Sequence, residues 1–274
     1  MKPYLTIIRP LNFLITALSI YVSCLLAGGT HDQVITMLFA SIAGAFIGAG
    51  GMVINDIFDI EIDKINKPLR PLPSGAISTF DALMFYAALT GAGLMMSAYT
   101  TVTAVIIAFV AVPAIFLYSY KLKSTPFYGN LLVGTLTGLA FIFGGAAVGN
   151  IRRSIIPAVF ALLINTGREI IKDMEDVDGD RKNNVTTFPI QFGMKKSTVL
   201  ASAFLAAVPV STIIPFIAGM YGLTYFIVVN AGVNAVILYI LTSLWKDQSS
   251  KNLNLISTLL KWDMLVGLCA IYLG

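Results

Sequence analysis

Long apolar runs separated by short polar stretches dominate this chain. Nine of them have span length, near residues 11–29, 36–56, 79–98, 101–119, 127–149, 154–173, 197–219, 222–245 and 254–273. Crossing the hydrocarbon core of a bilayer takes about 20 apolar residues of helix. The runs are too long for barrel strands and do not alternate. In lipid that leaves helices, which satisfy their own backbone groups. The pattern predicts an all-α, polytopic membrane protein with nine transmembrane helices. No small-residue cleavage site follows the first run, so it reads as the first span and not as a cleaved leader.

The polar connections give an orientation. One set holds Lys64, Lys67, Arg70, Lys121, Lys123, Arg181, Lys182, Lys195, Lys196, Lys246 and Lys251, and the N-terminal tail adds Lys2 and Arg9 on the same side. The opposite set holds only Arg152 and Arg153. Basic loops stay on the cytoplasmic face. A multi-pass protein of the cell membrane is therefore expected, with a cytoplasmic N-terminus and an outer C-terminus.

Composition agrees. With 57% hydrophobic and 12% charged residues, and a mean hydropathy of +0.84, a soluble domain is excluded. Cys24 and Cys269 both lie in apolar runs, so no disulfide framework is expected. The net charge of +4 is modest. No nucleic-acid partner and no obligatory protein partner are expected; membrane lipids are the surroundings.

The acidic residues are not scattered. Ten of the fourteen lie within Asp56–Asp63 and Glu169–Asp180. Asn55-Asp56-Ile57-Phe58-Asp59-Ile60-Glu61-Ile62-Asp63 and Lys172-Asp173-Met174-Glu175-Asp176-Val177-Asp178-Gly179-Asp180 share the spacing D-x-x-D-x-x-x-D, 117 residues apart. Each runs on into basic residues and an Asn: Lys64 and Asn66, then Arg181, Lys182 and Asn183. The motifs end spans 2 and 6, which share an orientation. Asn12 in span 1 and Asn130 in span 5 keep the offset within a residue. The chain therefore reads as one domain over 1–274, with parallel four-helix pseudo-repeats near 1–119 and 120–245 and an extra helix near 254–273. Two facing motifs at one membrane surface would close a single central cavity.

On a continuous helix, with Asn55 at zero, Asp56 falls at about 100°, Asp59 at about 40° and Asp63 at about 80°, while Glu61 points away. Lys172, Asp173, Asp176 and Asp180 repeat the arc, with Gly179 as a possible helix end. Carboxylates at a helix C-terminus oppose the macrodipole, so this placement is not a stabilising default. Hard carboxylate oxygens with an Asn carbonyl suit Mg²⁺, which takes a few carboxylates, waters and substrate phosphates. Two such clusters suit a diphosphate bridging two ions, with metal neutralising the leaving group. Lys67, Arg70, Lys121, Lys123 and Arg181 lie on the same side and suit phosphate oxygens; topology-setting charge is the alternative role for each. Pro68, Pro71 and Pro73 stiffen the loop of Arg70, and Ser78 with Asp81 forms a capping box for span 3. Asn165, Arg168 and Glu169 lie deeper in span 6, near the face of the second motif. Glu169 has two open roles, pairing with Lys172 or binding an acceptor. Asn12 and Asn130 read equally as inter-helix hydrogen bonds or as cavity lining. Lys261 and Asp263 form a polar patch in span 9. The one histidine, His31, falls on the outer side, which argues against a His base or a His-ligated metal.

Three stretches resemble the UbiA superfamily of intramembrane prenyltransferases: INDIFDIEIDKINKPLRPLPSG (Ile54–Gly75), YSYKLKSTPFYGN (Tyr118–Asn130) and GREIIKDMEDVDGDRKNNVTTFPIQFG (Gly167–Gly193). Within it the wording is most similar to archaeal digeranylgeranylglyceryl phosphate synthases. The resemblance covers the whole chain. It implies nine helices around a central cavity, Mg²⁺ at the two Asp motifs, a prenyl diphosphate donor and a lipid-like acceptor. Asn55, Asp59 and Asp63 match the first ligand set, which Asp56 completes; Asp173, Asp176 and Asp180 match the second. Arg70, Lys121 and Lys123 match basic diphosphate-binding positions. Asp59, Asp176, Lys123 and Glu169 are then the expected catalytic residues, and Arg9, Asn12, Asn130, Asn165 and Arg168 the expected acceptor-binding ones.

The implied reaction is Mg²⁺-dependent transfer of a geranylgeranyl group from geranylgeranyl diphosphate to geranylgeranylglyceryl phosphate. Prenylation of an aromatic acceptor of the 4-hydroxybenzoate or homogentisate type is the alternative. A transporter is the main alternative outside enzymes, but transporter sites sit near the midplane and these acids sit at one surface. CDP-alcohol phosphotransferases need D-x-x-D-G-x-x-A-R, and here Asp178-Gly179 is followed by Asp180-Arg181. Soluble isoprenyl diphosphate synthases share paired Asp motifs but lack spans.

Overall fold

The computed structural model describes residues 2–182 and 185–274, with Asn66 described by its backbone alone. Among the described residues nine long helices follow one another, with no strand between them: α1 Pro10–Leu26, α2 Val34–Phe58, α3 Thr79–Ser97, α4 Val102–Tyr120, α5 Tyr128–Ala147, α6 Ile155–Glu175, α7 Met194–Ile217, α8 Leu223–Lys246 and α9 Ser250–Leu273. Eight are long and apolar enough to cross a membrane; α1, with 17 residues, is apolar but shorter. Each falls on an expected apolar run. Large side chains such as Ile106, Phe109 and Val110 on α4, and Val210, Ile214 and Ile217 on α7, are exposed. Apolar surface of that kind marks a membrane-facing belt. The chain is an integral membrane protein.

The helix ends follow local chemistry. The Ser78 hydroxyl accepts from the Asp81 amide at 3.0 Å and donates to the Asp81 carboxylate at 2.7 Å, so the expected capping box closes through the hydroxyl. Thr101 caps α4 by accepting from the Ala104 amide, and Ser249 caps α9 through the Asn252 amide. Pro113 interrupts α4, and Pro209 and Pro215 interrupt α7. Each removes a backbone donor. In α8 the turn over Val229–Asn234 widens into a π segment.

The chain gathers into two compact units. The first holds the described residues up to Leu122 together with Leu139–Ile155. Its core alternates bulk with small residues: Ile20, Met37 and Phe143 against Ala40, Ala43, Ala104 and Ala146. Small residues let helices approach, which is how helices pair in lipid. A Cβ on Gly144 would lie 2.7 Å from the Ile20 carbonyl oxygen, and one on Gly93 would lie 2.9 Å from that of Ala43. Buried hydroxyls tie the same contacts, with Ser23 donating to the Phe141 carbonyl at 2.6 Å and Thr101 to that of Ala146 at 2.7 Å.

The second unit holds the described residues of Lys123–Gly138 and Ile156–Gly274. Its helices touch as closely: a Cβ on Gly138 would lie 2.7 Å from the Ala158 carbonyl oxygen. Tyr225 is fully buried, and its hydroxyl donates to the Thr212 carbonyl at 2.9 Å. Thr212 also meets Asn234 at 3.2 Å, and Asn234 donates to Asn230 at 3.0 Å, giving the π segment its own polar partners.

Candidate active site

Neither acidic motif lies on one continuous helix. Helix α2 ends at Phe58, Asp59 leaves helical geometry (φ −94°, ψ 4°), and a short helix resumes over Ile60–Asn66. Helix α6 ends at Glu175, and a short helix resumes over Val177–Lys182. The expected single arc is therefore corrected to two short arcs joined at Asp59 or Asp176. Gly179 lies inside the second short helix and does not end it. Asp is a poor residue for a helix interior, because its side chain competes for backbone groups. The break also relieves the dipole conflict for the later acids, while Asp56, Asp173 and Glu175 stay in the last turns of α2 and α6. Glu61 and Asp63 now lie in the first turn of a helix whose last turn holds Lys64, and Asp178 and Asp180 precede Arg181 and Lys182 in the same way.

The backbone bonds across the two breaks match. The Asp59 amide donates to the Asn55 carbonyl at 3.0 Å and the Asp63 amide to that of Asp59 at 2.7 Å. The Asp176 amide donates to the Lys172 carbonyl at 2.9 Å and the Asp180 amide to that of Asp176 at 2.9 Å. The recurring spacing is thus a recurring helix–break–helix.

In the first motif Asn55 donates its side-chain amide to Asp59 at 2.8 Å. Asp56 and Asp63 are buried, at 3% and 4% exposure. Asp56 Oδ1 takes Arg9 at 2.6 Å and Arg70 at 3.4 Å, and Arg70 also reaches Asp63 at 2.5 Å. Arg70, expected at the diphosphate, is thereby placed against the motif. Arg9, expected at the acceptor, is placed there as well. Lys67 is exposed where the short helix ends, and Lys121 is exposed at the end of α4. Asn12 is half-buried in α1. Glu61 pairs with Lys64 at 2.8 Å, away from the buried charges.

In the second motif Asn130 donates to Asp173 at 2.8 Å. Asp176 is exposed, and Asp180 is half-buried. Glu169 sits between two cations, with Arg168 at 3.0 Å and Lys172 at 3.2 Å. That realises its pairing role. Arg168 also donates to the Ser257 carbonyl of α9 at 3.2 Å, and Asn254 donates to Glu175 at 2.7 Å. Sequence reasoning missed both α9 contacts; the signal was the polar content of the first turns of α9. Asn165 is buried and donates to the Ala161 carbonyl of its own helix at 2.9 Å. Lys123 is half-buried and engaged, and Arg181 is exposed. Asn183 lies outside the described residues.

The donors in both motifs are hard oxygens, which fit Mg²⁺. Among the described residues no three His, Cys, Asp or Glu side chains close around a common point.

Comparison with known proteins gives one consistent result. Two relatives are digeranylgeranylglyceryl phosphate synthases: that of Methanobrevibacter smithii is 37% identical, covering 100% of this chain and 98% of that protein, and that of Methanocaldococcus jannaschii is 36% identical over 100% and 96%. A structure described as giving insight into the biosynthesis of digeranylgeranylglyceryl phosphate synthase in membranes superposes with a TM-score of 0.83 at 36% identity, over 100% of this chain and 97% of that one. A UbiA homolog from Archaeoglobus fulgidus bound to GPP and Mg²⁺ shares the fold, with a TM-score of 0.70 at 18% identity, over 98% and 99%. The model of the UbiA prenyltransferase family matches residues 14–262, and this chain belongs to that family.

Proposed function

We propose that this prenyltransferase moves a geranylgeranyl group from geranylgeranyl diphosphate to geranylgeranylglyceryl phosphate, forming the second ether bond of an archaeal lipid precursor. The observation that carries this reading is full-length similarity, at 36–37% identity, to proteins named for that product. The site's chemistry supports it: hard oxygens, adjoining guanidinium groups and membrane-spanning helices suit a donor and acceptor that both live in lipid.

In this reading Asn55, Asp59 and Asp63 of one motif, and Asp176 and Asp180 of the other, supply ligands for Mg²⁺. Bound there, Mg²⁺ neutralises the diphosphate and makes it a better leaving group. Arg70, Lys67, Lys121, Lys123 and Arg181 donate hydrogen bonds to phosphate oxygens. The allylic C1–O bond breaks, its electron pair leaving with the diphosphate, and the delocalised cation is captured by the acceptor hydroxyl. The oxygen becomes acidic once alkylated, so its proton leaves late and passes to the released diphosphate. Glu169, already held by two cations, fixes Arg168 and Lys172. Arg168, which also donates to the Ser257 carbonyl, is offered to the acceptor's phosphate, and Asn165, on the same helix, to the acceptor. The N-terminus and both motifs face the cytoplasm, and the C-terminus faces outward.

The test is product analysis on purified protein given both substrates. Digeranylgeranylglyceryl phosphate should form with Mg²⁺, stop with EDTA and resume when Mg²⁺ is restored. Formation unaffected by EDTA removes the metal from the reading; no ether product removes the acceptor.

A further inference from the structure

Asp56 and Asp173 hold the same place in the two motifs, 117 residues apart. Each is gripped by the opening of an earlier span in its own unit. Asp56 takes Arg9, the residue that opens α1, at 2.6 Å. Asp173 takes Asn130, in the first turn of α5, at 2.8 Å. The entries to these two helices share a second feature. Arg9 (φ 49°) and Phe127 (φ 70°) are the non-glycine residues with left-handed backbone among those described. They lie 118 residues apart, immediately before α1 and α5. In both, the carbonyl accepts from the amide four residues on: Phe13 to Arg9 at 3.2 Å and Leu131 to Phe127 at 2.9 Å.

A left-handed non-glycine residue costs on the order of 1–3 kcal/mol and persists only where its surroundings fix it. Around Arg9 the fixing contacts are visible. Ile7 is buried, Tyr4 meets Phe85 edge-on with centroids 5.1 Å apart, and Pro10 bars Arg9 from right-handed helix. Asp56 supplies the polar contact. It is 3% exposed, and Oδ1 takes two guanidiniums, whereas Mg²⁺ keeps several waters around it. Asp176, by contrast, is exposed, and Asp59 and Asp173 are half-buried.

We infer that the first aspartate of each motif is a tether and not a metal ligand. Asp173 fixes the entry of α5. Asp56 fixes the entry of α1 and orients Arg9 and Arg70 as a pair of phosphate-binding guanidiniums. An Arg carries five donors; after meeting one carboxylate, each retains N–H groups for phosphate oxygens. Metal binding is left to the later aspartates: Asp176 is exposed, Asp59 and Asp180 are half-buried, and Asp63, though as buried as Asp56, meets Arg70 where Asp56 meets both Arg9 and Arg70. This rests on the metal-dependent reading above and assigns roles within it.

Mn²⁺ binding to the full-length protein in detergent, followed by electron paramagnetic resonance with inorganic diphosphate present, separates the roles. At saturating diphosphate, Asp56→Asn and Asp173→Asn should keep Mn²⁺ affinity within about fivefold of native. Asp59→Asn and Asp176→Asn should lose about thirtyfold or more. Asp56→Asn should also raise the diphosphate concentration needed for saturation by about tenfold, an effect a purely structural contact would not have. Should Asp56→Asn or Asp173→Asn fail to fold, Arg9→Gln and Asn130→Ala remove the same contacts from the other side. Asn130→Ala should lower the melting temperature and leave Mn²⁺ binding intact, and Arg9→Gln should lower the melting temperature and weaken diphosphate binding while leaving Mn²⁺ binding intact. Equal Mn²⁺ loss in first- and second-aspartate variants overturns the tether while the metal site stands. Native-like binding in every variant, or no binding by the native protein, overturns the metal site and the tether with it.

Discussion

Asp59 and Asp176 hold corresponding places at the two helix breaks, and the proposed chemistry falls most heavily on them. Replacing either by Ala should lower turnover by about a hundredfold or more, as expected for a removed metal ligand. Size-exclusion profile and melting temperature should stay close to native; near-native turnover in either variant would remove that residue from the site. Glu169 behaves differently. Its carboxylate is 12% exposed between Arg168 and Lys172, so Glu169→Ala takes the paired carboxylate from Arg168, whose side chain is largely buried. Leaving a charge without its partner in a poorly solvated place is destabilising. Both the melting temperature and the affinity for the phosphate-bearing acceptor should fall, and binding isotherms with thermal melts would show it. The identities of the acidic residues were legible in the sequence, because carboxylates are rare in this chain. The partner of Asp56 was not. Arg9 lies 47 residues away, and only the docking of Tyr4 and Ile7 beneath the N-terminal segment brings it to the motif.

Among the elements, the spans were the most legible feature. Hydrophobicity on all sides over about 20 residues leaves little but a transmembrane helix, and the nine long helices fall on the nine runs. The breaks at Asp59 and Asp176 were not legible, since a helical wheel assumes continuity. Local signals at Asp59 conflict: its apolar flanks Phe58 and Ile60 favour continuing the helix, and the Asp side chain and the macrodipole favour restarting it. Packing distances between spans were legible only as an abundance of Gly and Ala. Gly144→Val should cost about 1–3 kcal/mol, because its Cβ would lie 2.7 Å from the Ile20 carbonyl oxygen and 2.8 Å from the Ser23 Cβ. Ser78→Ala should cost about 1 kcal/mol through loss of the α3 cap. Thermal melts in one detergent would rank them, with Gly144→Val the more destabilised.

For the whole molecule, the distribution of Lys and Arg sets the expected orientation. In a background lacking Cys24 and Cys269, a membrane-impermeant maleimide on sealed, right-side-out vesicles should label Gly274→Cys directly. It should label Lys67→Cys only after permeabilisation. The reverse pattern would invert the proposed topology and move both acidic motifs to the outer face. Orientation decides from which side of the membrane a diphosphate donor reaches the motifs. The most direct measurement of the central claim is a competition assay. Purified protein is supplied with Mg²⁺ and geranylgeranyl diphosphate, and offered geranylgeranylglyceryl phosphate and 4-hydroxybenzoate together. The ether product should form and the aromatic acceptor should be recovered unchanged. Transfer to the ring alone would contradict it, keeping the family and its fold while assigning the chain to aromatic prenylation.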